Sequence, residues 1–202
     1  MRKITSFFKK NEKGFTLAEL IVSASLTCVF MAAFVAAFIG LRNGMYAQDS
    51  YFTSNRTGYY TMNVISKDVR EALSIEDTYG VSTATSVLVL RLPSINASGV
   101  PTNVASQYDY VVYQLSGTTP NNLTRTVTAL NGSSRNSVSN QIVARNVTGF
   151  TLSNSSGTPF SSLIGTQQEA LKIFNVALTS SETVGDQART ITIDSDMVVM
   201  NK

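Results

Sequence analysis

The sequence contains no histidine and only one cysteine, Cys28. These two shortages exclude a Cys/His metal site, an intramolecular disulfide and an imidazole base. The sequence also shows no glycine-rich phosphate loop and no nucleophile elbow. We therefore expect a protein that is not an enzyme and that needs no cofactor.

Net positive charge is confined to the N-terminus. Residues 1–14 hold five basic residues against Glu12, whereas the whole chain carries a net charge of +3, so residues 15–202 sum to −1. The pI of about 9.0 thus reflects the leader rather than the body of the chain. Since nucleic-acid-binding domains carry a basic patch or stripe, we do not expect nucleic acid as a general partner.

The longest apolar run, residues 15–41, contains no proline, and Gly40 is its only glycine. As a continuous helix it would be roughly 40 Å long, more than the roughly 30 Å hydrocarbon core of a bilayer. Five basic residues precede the run and Arg42 follows it. The positive-inside rule therefore places the N-terminus in the cytoplasm and residues 43–202 outside the cytoplasmic membrane.

One charge, Glu19, lies inside this run. An acidic residue at the centre of a membrane helix costs roughly 2.5–3.5 kcal/mol on insertion scales, and less near the interface. We therefore expect another group to offset the free-energy cost of placing Glu19 in the membrane.

The stretch KKNEKGFTLAELIVSASLTCVFMAAF (residues 9–34) resembles the class III signal peptide of type IV pilins and type II secretion pseudopilins. The resemblance implies that a prepilin peptidase cuts between Gly14 and Phe15, and that Phe15 is then N-methylated. It makes Glu19 the fifth residue of the mature chain, with a role in assembly. It also implies that the partners are the peptidase, an assembly platform in the cytoplasmic membrane, membrane lipid before assembly, and other pilin subunits bound through the N-terminal helix in an extracellular filament on the cell surface.

Cleavage would create an ammonium group on Phe15, four residues before Glu19. Pairing the two groups would remove two uncompensated charges from a low-dielectric setting. The partner of Glu19 could be Phe15 of its own chain or, as the family precedent favours, Phe15 of a neighbouring subunit.

Two departures from the family pattern indicate which kind of pilin this chain resembles. Many type IV pilins have a proline within the apolar helix, and Gram-negative major pilins commonly have a C-terminal disulfide, but this chain has neither feature. The chain is therefore closer to a minor pilin, a pseudopilin or a Gram-positive subunit. The segments MNVISKDVREAL (62–73) and ITIDSDMVVMN (191–201) loosely resemble the J-type minor pseudopilins. Whether the machine is a pilus, a competence pseudopilus or a secretion pseudopilus stays open.

Beyond Arg42 the helical pattern becomes amphipathic, and we expect the helix to end near Ile75. Its apolar stripe, expected to pack on a sheet, comprises Met45, Phe52, Tyr59, Met62, Ile65, Val69 and Leu73. Its polar side is expected to carry Asp49, Arg56, Lys67, Asp68 and Glu71.

From Ser86 the apolar period changes to two, which predicts strands. The predicted strands are residues 86–92, 108–115, 123–130, 141–153, 170–179 and 189–200. One long helix must cover the apolar face of this antiparallel sheet, which gives an α+β pilin fold. We expect a cleaved leader (1–14), a hydrophobic transmembrane or filament-core helix (15–41), an amphipathic helix (42–76) and an extracellular β-rich head (77–202).

Asp194 and Asp196 form the one weak candidate for a metal site, because carboxylates at i and i+2 of a strand face the same way and Ca²⁺ prefers such oxygens. The simpler interpretation is a solvated strand face, because no acidic loop surrounds the pair. An uncleaved, single-span anchored protein with an extracellular binding head stays open as the alternative function.

Overall fold

The computed structural model describes residues 14–200 except residues 77, 80, 83–85, 103–106, 118–120, 131, 164–170 and 185–186. Of the predicted leader, only Gly14 lies within the described residues. The chain divides into two compact units, Met1–Tyr46 and Ala47–Lys202. Each unit is described by itself.

The first unit consists, in its described part, of three non-helical residues followed by the beginning of helix α1 (Leu17–Glu71). Its large apolar side chains are exposed all round, and the most apolar window has a mean hydropathy of 2.3 with no buried residue. By length and composition this part of α1 can cross a membrane. The expected unbroken helix is confirmed, because no proline interrupts the backbone hydrogen bonds.

The second unit packs the rest of α1 against an antiparallel sheet. The strands are β1 (Ser74–Ile75), β2 (Thr78–Tyr79), β3 (Val81–Ser82), β4 (Val87–Ile95), β5 (Pro101–Thr102), β6 (Tyr108–Ser116), β7 (Asn121–Thr128), β8 (Val138–Asn154), β9 (Ile173–Val184) and β10 (Gln187–Val198). The main sheet has the order β1-β4-β6-β7-β8-β9-β10, with β5 beside β4, while β2 and β3 form a separate hairpin. A 3-10 turn, Phe160–Ser162, follows β8. The predicted α+β pilin fold is confirmed.

All six predicted strands are present, with shifted ends. The predicted ends at residues 92 and 179 were wrong, because β4 continues to Ile95 and β9 to Val184. Pairing explains both extensions: Pro93 lies opposite Tyr108, and Ser181 and Thr183 lie opposite β10. The two-residue strands were missed because so short a segment has no period to detect.

The predicted packing face of α1 is correct only towards its C-terminal end. Met62, Ile65 and Val69 are buried, but Phe52 and Tyr59 are more than 60 % exposed. Met45, in the first unit, is exposed as well. The helix instead buries small residues, namely Ser54, Gly58 and Thr61.

Close approach explains this choice of face. A Cβ placed on Gly58 would lie 2.3 Å from Cδ1 of Ile193 in β10, so glycine allows a helix–strand contact that a larger residue would push apart. Three residues along, the hydroxyl of Thr61 lies 2.9 Å from the carbonyl oxygen of Val143 in β8 and donates a hydrogen bond to it. At this end of the buried part of α1, the residues that face the sheet are those whose small side chains let the two backbones approach closely.

Asp68 was predicted on the polar side of α1, and this prediction was wrong: the residue is 3 % exposed. Its carboxylate accepts two hydrogen bonds from Arg125 of β7, at 2.6 Å from Nε and 2.9 Å from Nη2. The hydroxyl of Tyr113 in β6 donates a third, at 2.5 Å. Burial is compatible with the charge because a bidentate guanidinium neutralises it.

The surroundings shift the pKa of both partners of Asp68. Burial first, and then the negative charge of Asp68, raise the pKa of Tyr113. Burial opposes the charge on Arg125, but the hydrogen bonds and attraction from Asp68 outweigh it and raise the pKa of Arg125. The cluster therefore contains a neutral phenol that donates to a carboxylate held by Arg125 in a bidentate ion pair.

A second buried carboxylate, Asp109 of β6, organises the segment between β7 and β8. It accepts hydrogen bonds from the Leu130 N–H (3.0 Å), the Ser133 hydroxyl (2.8 Å) and Arg135 Nε (3.0 Å). Arg135 also forms an ion pair with Glu71 of α1, at 3.2 Å. The two carboxylates thus connect α1 to the strands and to the loop beyond them.

The buried cluster generates a stability prediction. Asp68→Ala should lower the free energy of unfolding by about 3–5 kcal/mol, because it leaves a buried guanidinium without its partner. Tyr113→Phe should cost only about 0.5–1.5 kcal/mol, since it removes one hydrogen bond. Urea unfolding of the detergent-solubilised chain measures both. Asp49→Ala, at an exposed position of α1, is the control. A loss for Asp68→Ala no larger than the control's would contradict the assigned role.

Candidate processing and assembly site

The residues predicted for processing lie at the start of α1. Residues 14–16 are non-helical and exposed, and α1 begins at Leu17. Phe15 is 80 % exposed, and no atom of the described residues lies within 4 Å of the position that a Cβ on Gly14 would occupy. Among the described residues, none covers the Gly14–Phe15 peptide bond.

Glu19 takes part in a reciprocal cap of this helix end. Its Oε2 accepts hydrogen bonds from the Thr16 backbone N–H (3.0 Å) and the Thr16 hydroxyl (3.1 Å). In return, the Glu19 N–H donates to Thr16 Oγ1, at 3.3 Å. This arrangement is a capping box, in which Thr16 is the N-cap and Glu19 is the third residue of the helix.

The cap was missed in the sequence analysis although its signal is there. Thr16 and Glu19 stand three residues apart before an apolar run, which is the sequence signature of a capping box. The cap and the positive end of the helix dipole together stabilise the Glu19 carboxylate without a cationic side chain. Part of the cost of Glu19 is thus already offset before any cleavage.

The geometry leaves Glu19 able to accept further hydrogen bonds. Both bonds from Thr16 reach Oε2, and no described residue donates to Oε1. A cut after Gly14 would keep Thr16 acylated by Phe15, so the N–H that the cap uses would survive. The new ammonium would stand on Phe15, one residue before the cap.

The other polar residues of the apolar segment are satisfied within the helix. The hydroxyls of Ser23, Ser25 and Thr27 donate to the carbonyl oxygens three or four residues earlier, at 3.0, 2.9 and 2.8 Å. Such bonds let hydroxyls enter an apolar medium without leaving a donor unpaired. Cys28 is exposed on the same segment.

The structure places Asp194 and Asp196 on one exposed face of β10, as the alternation predicts. Asn175 Nδ2 donates to Asp196 Oδ1 at 3.2 Å, across the β9–β10 pair. Within the described ranges, no group of three His, Cys, Asp or Glu residues could hold a metal ion. Asp194 and Asp196 thus form part of an exposed polar surface of β10.

Residues 9–35 match the family model for the prokaryotic N-terminal methylation motif. No curated protein and no solved structure matches the chain. The chain thus carries a prokaryotic N-terminal methylation motif at the helix end where the cap lies. Together with the fold, the motif supports the type IV pilin and pseudopilin family, whose members are structural proteins, and it supports anchoring of the precursor in a membrane.

The cap generates a prediction about the first turn of α1. Thr16→Val keeps the shape of the side chain but removes its oxygen, and should weaken the first turn by about 1 kcal/mol. Hydrogen exchange of the detergent-solubilised chain should then show the amides of Glu19 and Leu20, which donate to Thr16 Oγ1 and to the Thr16 carbonyl oxygen, exchanging about fivefold faster. Thr16→Ser restores the oxygen and should restore protection. Equal exchange in the Val and Ser variants would contradict the capping box.

Proposed function

We propose that the protein is a structural, minor subunit of a type IV pilus or pseudopilus. A prepilin peptidase cuts it after Gly14, Phe15 becomes the N-methylated N-terminus, and the N-terminal helix then joins the subunit to other pilins. The observation that carries the proposal is the exposed, non-helical Gly14–Phe15 bond directly before a capped helix, within the matched motif.

The position of the bond supports cleavage. A peptidase needs backbone that is accessible and outside a helix, and residues 14–16 meet both conditions while residue 17 does not. The basic leader and the positive-inside rule put this bond on the cytoplasmic side of the membrane.

The state of Glu19 supports a role in assembly. The carboxylate is held by Thr16, but Oε1 takes no bond from the described residues, so an ammonium group can approach it. We propose that this ammonium belongs to Phe15 of a neighbouring subunit, which makes docking depend on prior cleavage of the neighbour. An ion pair in an apolar setting is worth far more than one in water.

The minor status of the subunit rests on the sequence. The chain has no proline in residues 15–41, it cannot form an internal disulfide, and two of its segments loosely resemble the J-type minor pseudopilins. Partners in this function are other pilin subunits, the peptidase, the assembly platform and, before assembly, membrane lipid.

Cleavage is tested by intact-mass analysis of the chain purified from cells with a prepilin peptidase. The expected mass is that of residues 15–202 with one added methyl group. A Gly14→Val variant, which fills the open space beside the bond, should keep its leader and stay in the membrane. An unchanged precursor mass in the wild-type chain would favour the alternative, a permanently anchored protein with an extracellular binding head.

The assembly role of Glu19 is tested by two substitutions that separate charge from capping. Glu19→Gln keeps a capping side chain without the charge, whereas Glu19→Ala removes both. Both variants should insert into membranes but enter sheared filaments at least about tenfold less, as expected for a loss of about 1.4 kcal/mol in docking. Normal incorporation of Glu19→Gln would show that the charge is dispensable.

A further inference from the structure

The last strand of the main sheet, β10, leaves one edge without a partner among the described residues. The sheet ends at β10, which pairs with β9 along its whole length of 12 residues. Continuing that register, the Val199 N–H donates to the carbonyl oxygen of Lys172, at 2.8 Å. In an antiparallel pair, residues that bond in this way alternate with residues whose backbone groups point to the other side. The N–H and C=O groups of the even-numbered residues of β10 therefore point away from β9.

The outward backbone groups lie on exposed residues, namely Thr190, Thr192, Asp194, Asp196 and Val198. Within the described ranges, no other group bonds to these backbone atoms. Native proteins commonly block such an edge with a proline, a bulge or a covering segment. β10 contains no proline, and its register with β9 has no bulge. The edge can therefore take an added strand.

The contacts of α1 follow the order of the strands. β7, β8, β9 and β10 contact the helix through Asp68, Thr61, Ser54 and Gly58, respectively. At about 100° per residue, these four positions succeed one another around the helix in one direction. The sheet thus wraps around α1 from one flank and ends under Gly58.

The flank of α1 beyond β10 carries two large aromatic residues. A further rotation of about 100–120° past the contact with β10 reaches Tyr59 and Phe52, which are 66 % and 61 % exposed. Met200, two residues after β10, lines a cavity with Ser66 on the same flank, so this flank adjoins the open side of β10. Ile193 of β10 packs on the core but is only partly buried. One more strand beside β10 would cover the aromatic residues and complete the burial of Ile193.

We propose that an extended segment of a different protein pairs with the open edge of β10 and adds a strand to the sheet. Side chains alternate between the two faces of a sheet, so every second residue of the segment lies beside Ile191 and Ile193, next to the aromatic flank of α1. These residues are apolar. The residues between them lie beside Asp194 and Asp196 and are Lys or Arg, because opposite charges on neighbouring strands stabilise the pairing. The contact goes beyond the proposed function and needs neither cleavage nor a filament.

A second copy of β10 does not fit this edge. Antiparallel pairing of two such strands about Ser195 places Asp194 of each copy opposite Asp196 of the other. Like charges directly opposite each other destabilise a strand pair. The two acids therefore oppose self-association and favour a basic strand of another protein.

Hydrogen exchange of the full, detergent-solubilised chain tests the contact with a short synthetic peptide in which valine and lysine alternate. The amides of Thr190, Thr192, Asp194 and Asp196 should exchange at least about tenfold more slowly with roughly millimolar peptide than without it. The amides of the odd-numbered residues already bond to β9 and should change little. Unchanged exchange of the even-numbered amides would overturn the proposal.

The basic character of the partner is tested with a peptide of alternating valine and glutamate. It should protect the same amides severalfold less than the lysine peptide does. Asp194→Asn combined with Asp196→Asn should remove this difference, because it removes the charges that distinguish the two peptides. Equal protection by both peptides in the wild-type chain would overturn the assignment of a basic partner.

Thr192→Pro separates strand addition from attraction by charge. Proline removes an outward N–H but is compatible with pairing to β9, as edge positions allow. This variant should bind the lysine peptide at least about tenfold more weakly. Thr192→Val is the matched control, because it loses the hydroxyl that lies 3.1 Å from the Thr179 hydroxyl but keeps the N–H, and it should bind normally. Equal binding by the two variants would show that charge alone holds the peptide, which overturns strand addition.

A chemical version of this test leaves the protein unchanged. Two further lysine–valine peptides carry backbone N-methyl groups, on the lysines in one and on the valines in the other. Only one set of N–H groups can face β10, so one peptide should bind normally and the other at least about tenfold more weakly. Equal binding of both peptides would overturn strand addition. Protection of the even-numbered amides that rises with protein concentration, without any peptide, would show that a second copy takes the edge and would overturn the assignment of a different partner.

Discussion

The buried carboxylate of Asp68 sets the rotation of α1 on the sheet. It is bound by Arg125 and Tyr113 from two neighbouring strands, so turning the helix would break three hydrogen bonds and leave a buried charge unpaired. With Asp68 facing inward, Gly58 and Val69 must face inward too, and Phe52 and Tyr59 must face outward. One polar contact therefore determines both the core face of the helix and the aromatic surface that it leaves open.

The same helix carries a second carboxylate, Glu19, whose capacity to accept hydrogen bonds is only partly used. Asp68 has its full set of partners within the chain, whereas Glu19 has a cap that uses only one of its oxygens. A fully paired charge fixes a fold, and a partly paired charge keeps a binding capacity. This contrast explains how one helix can serve as a rigid element of the second unit and, in the proposed function, as the part that joins subunits.

Much of this protein could be predicted from local patterns. The long strands are rich in β-branched and apolar residues between turn segments, and the motif around Gly14, Phe15 and Glu19 depends on residues adjacent in sequence, so one sequence was enough to place the strands and the motif. The packing face of α1 failed because Phe52 and Tyr59 fit an apolar stripe as well as buried residues do. Their exposure depends on Gly58 approaching Ile193 and on Asp68 meeting Arg125, and these contacts join residues far apart in the chain. The cap at Thr16 is local and detectable from the three-residue spacing of Thr16 and Glu19, but its donor is a backbone N–H and not the cation that a lone carboxylate suggests.

The distribution of charge gives the proposed assembly an order. The leader concentrates five basic residues before the cut, whereas residues 15–202 sum to −1. Removing the leader would delete these basic residues and create one ammonium group at the start of the apolar helix. The subunit would then lose its general attraction to anionic lipid and gain a single charge at a defined position. In the proposed function this charge pairs with Oε1 of a capped Glu19 in a low-dielectric setting, where the absence of water makes the pairing strong. Charges on the second unit act differently, because salt screens exposed pairs beyond about 8–10 Å. In the proposed function they therefore act only at short range, whereas the processed N-terminus supplies the signal to assemble.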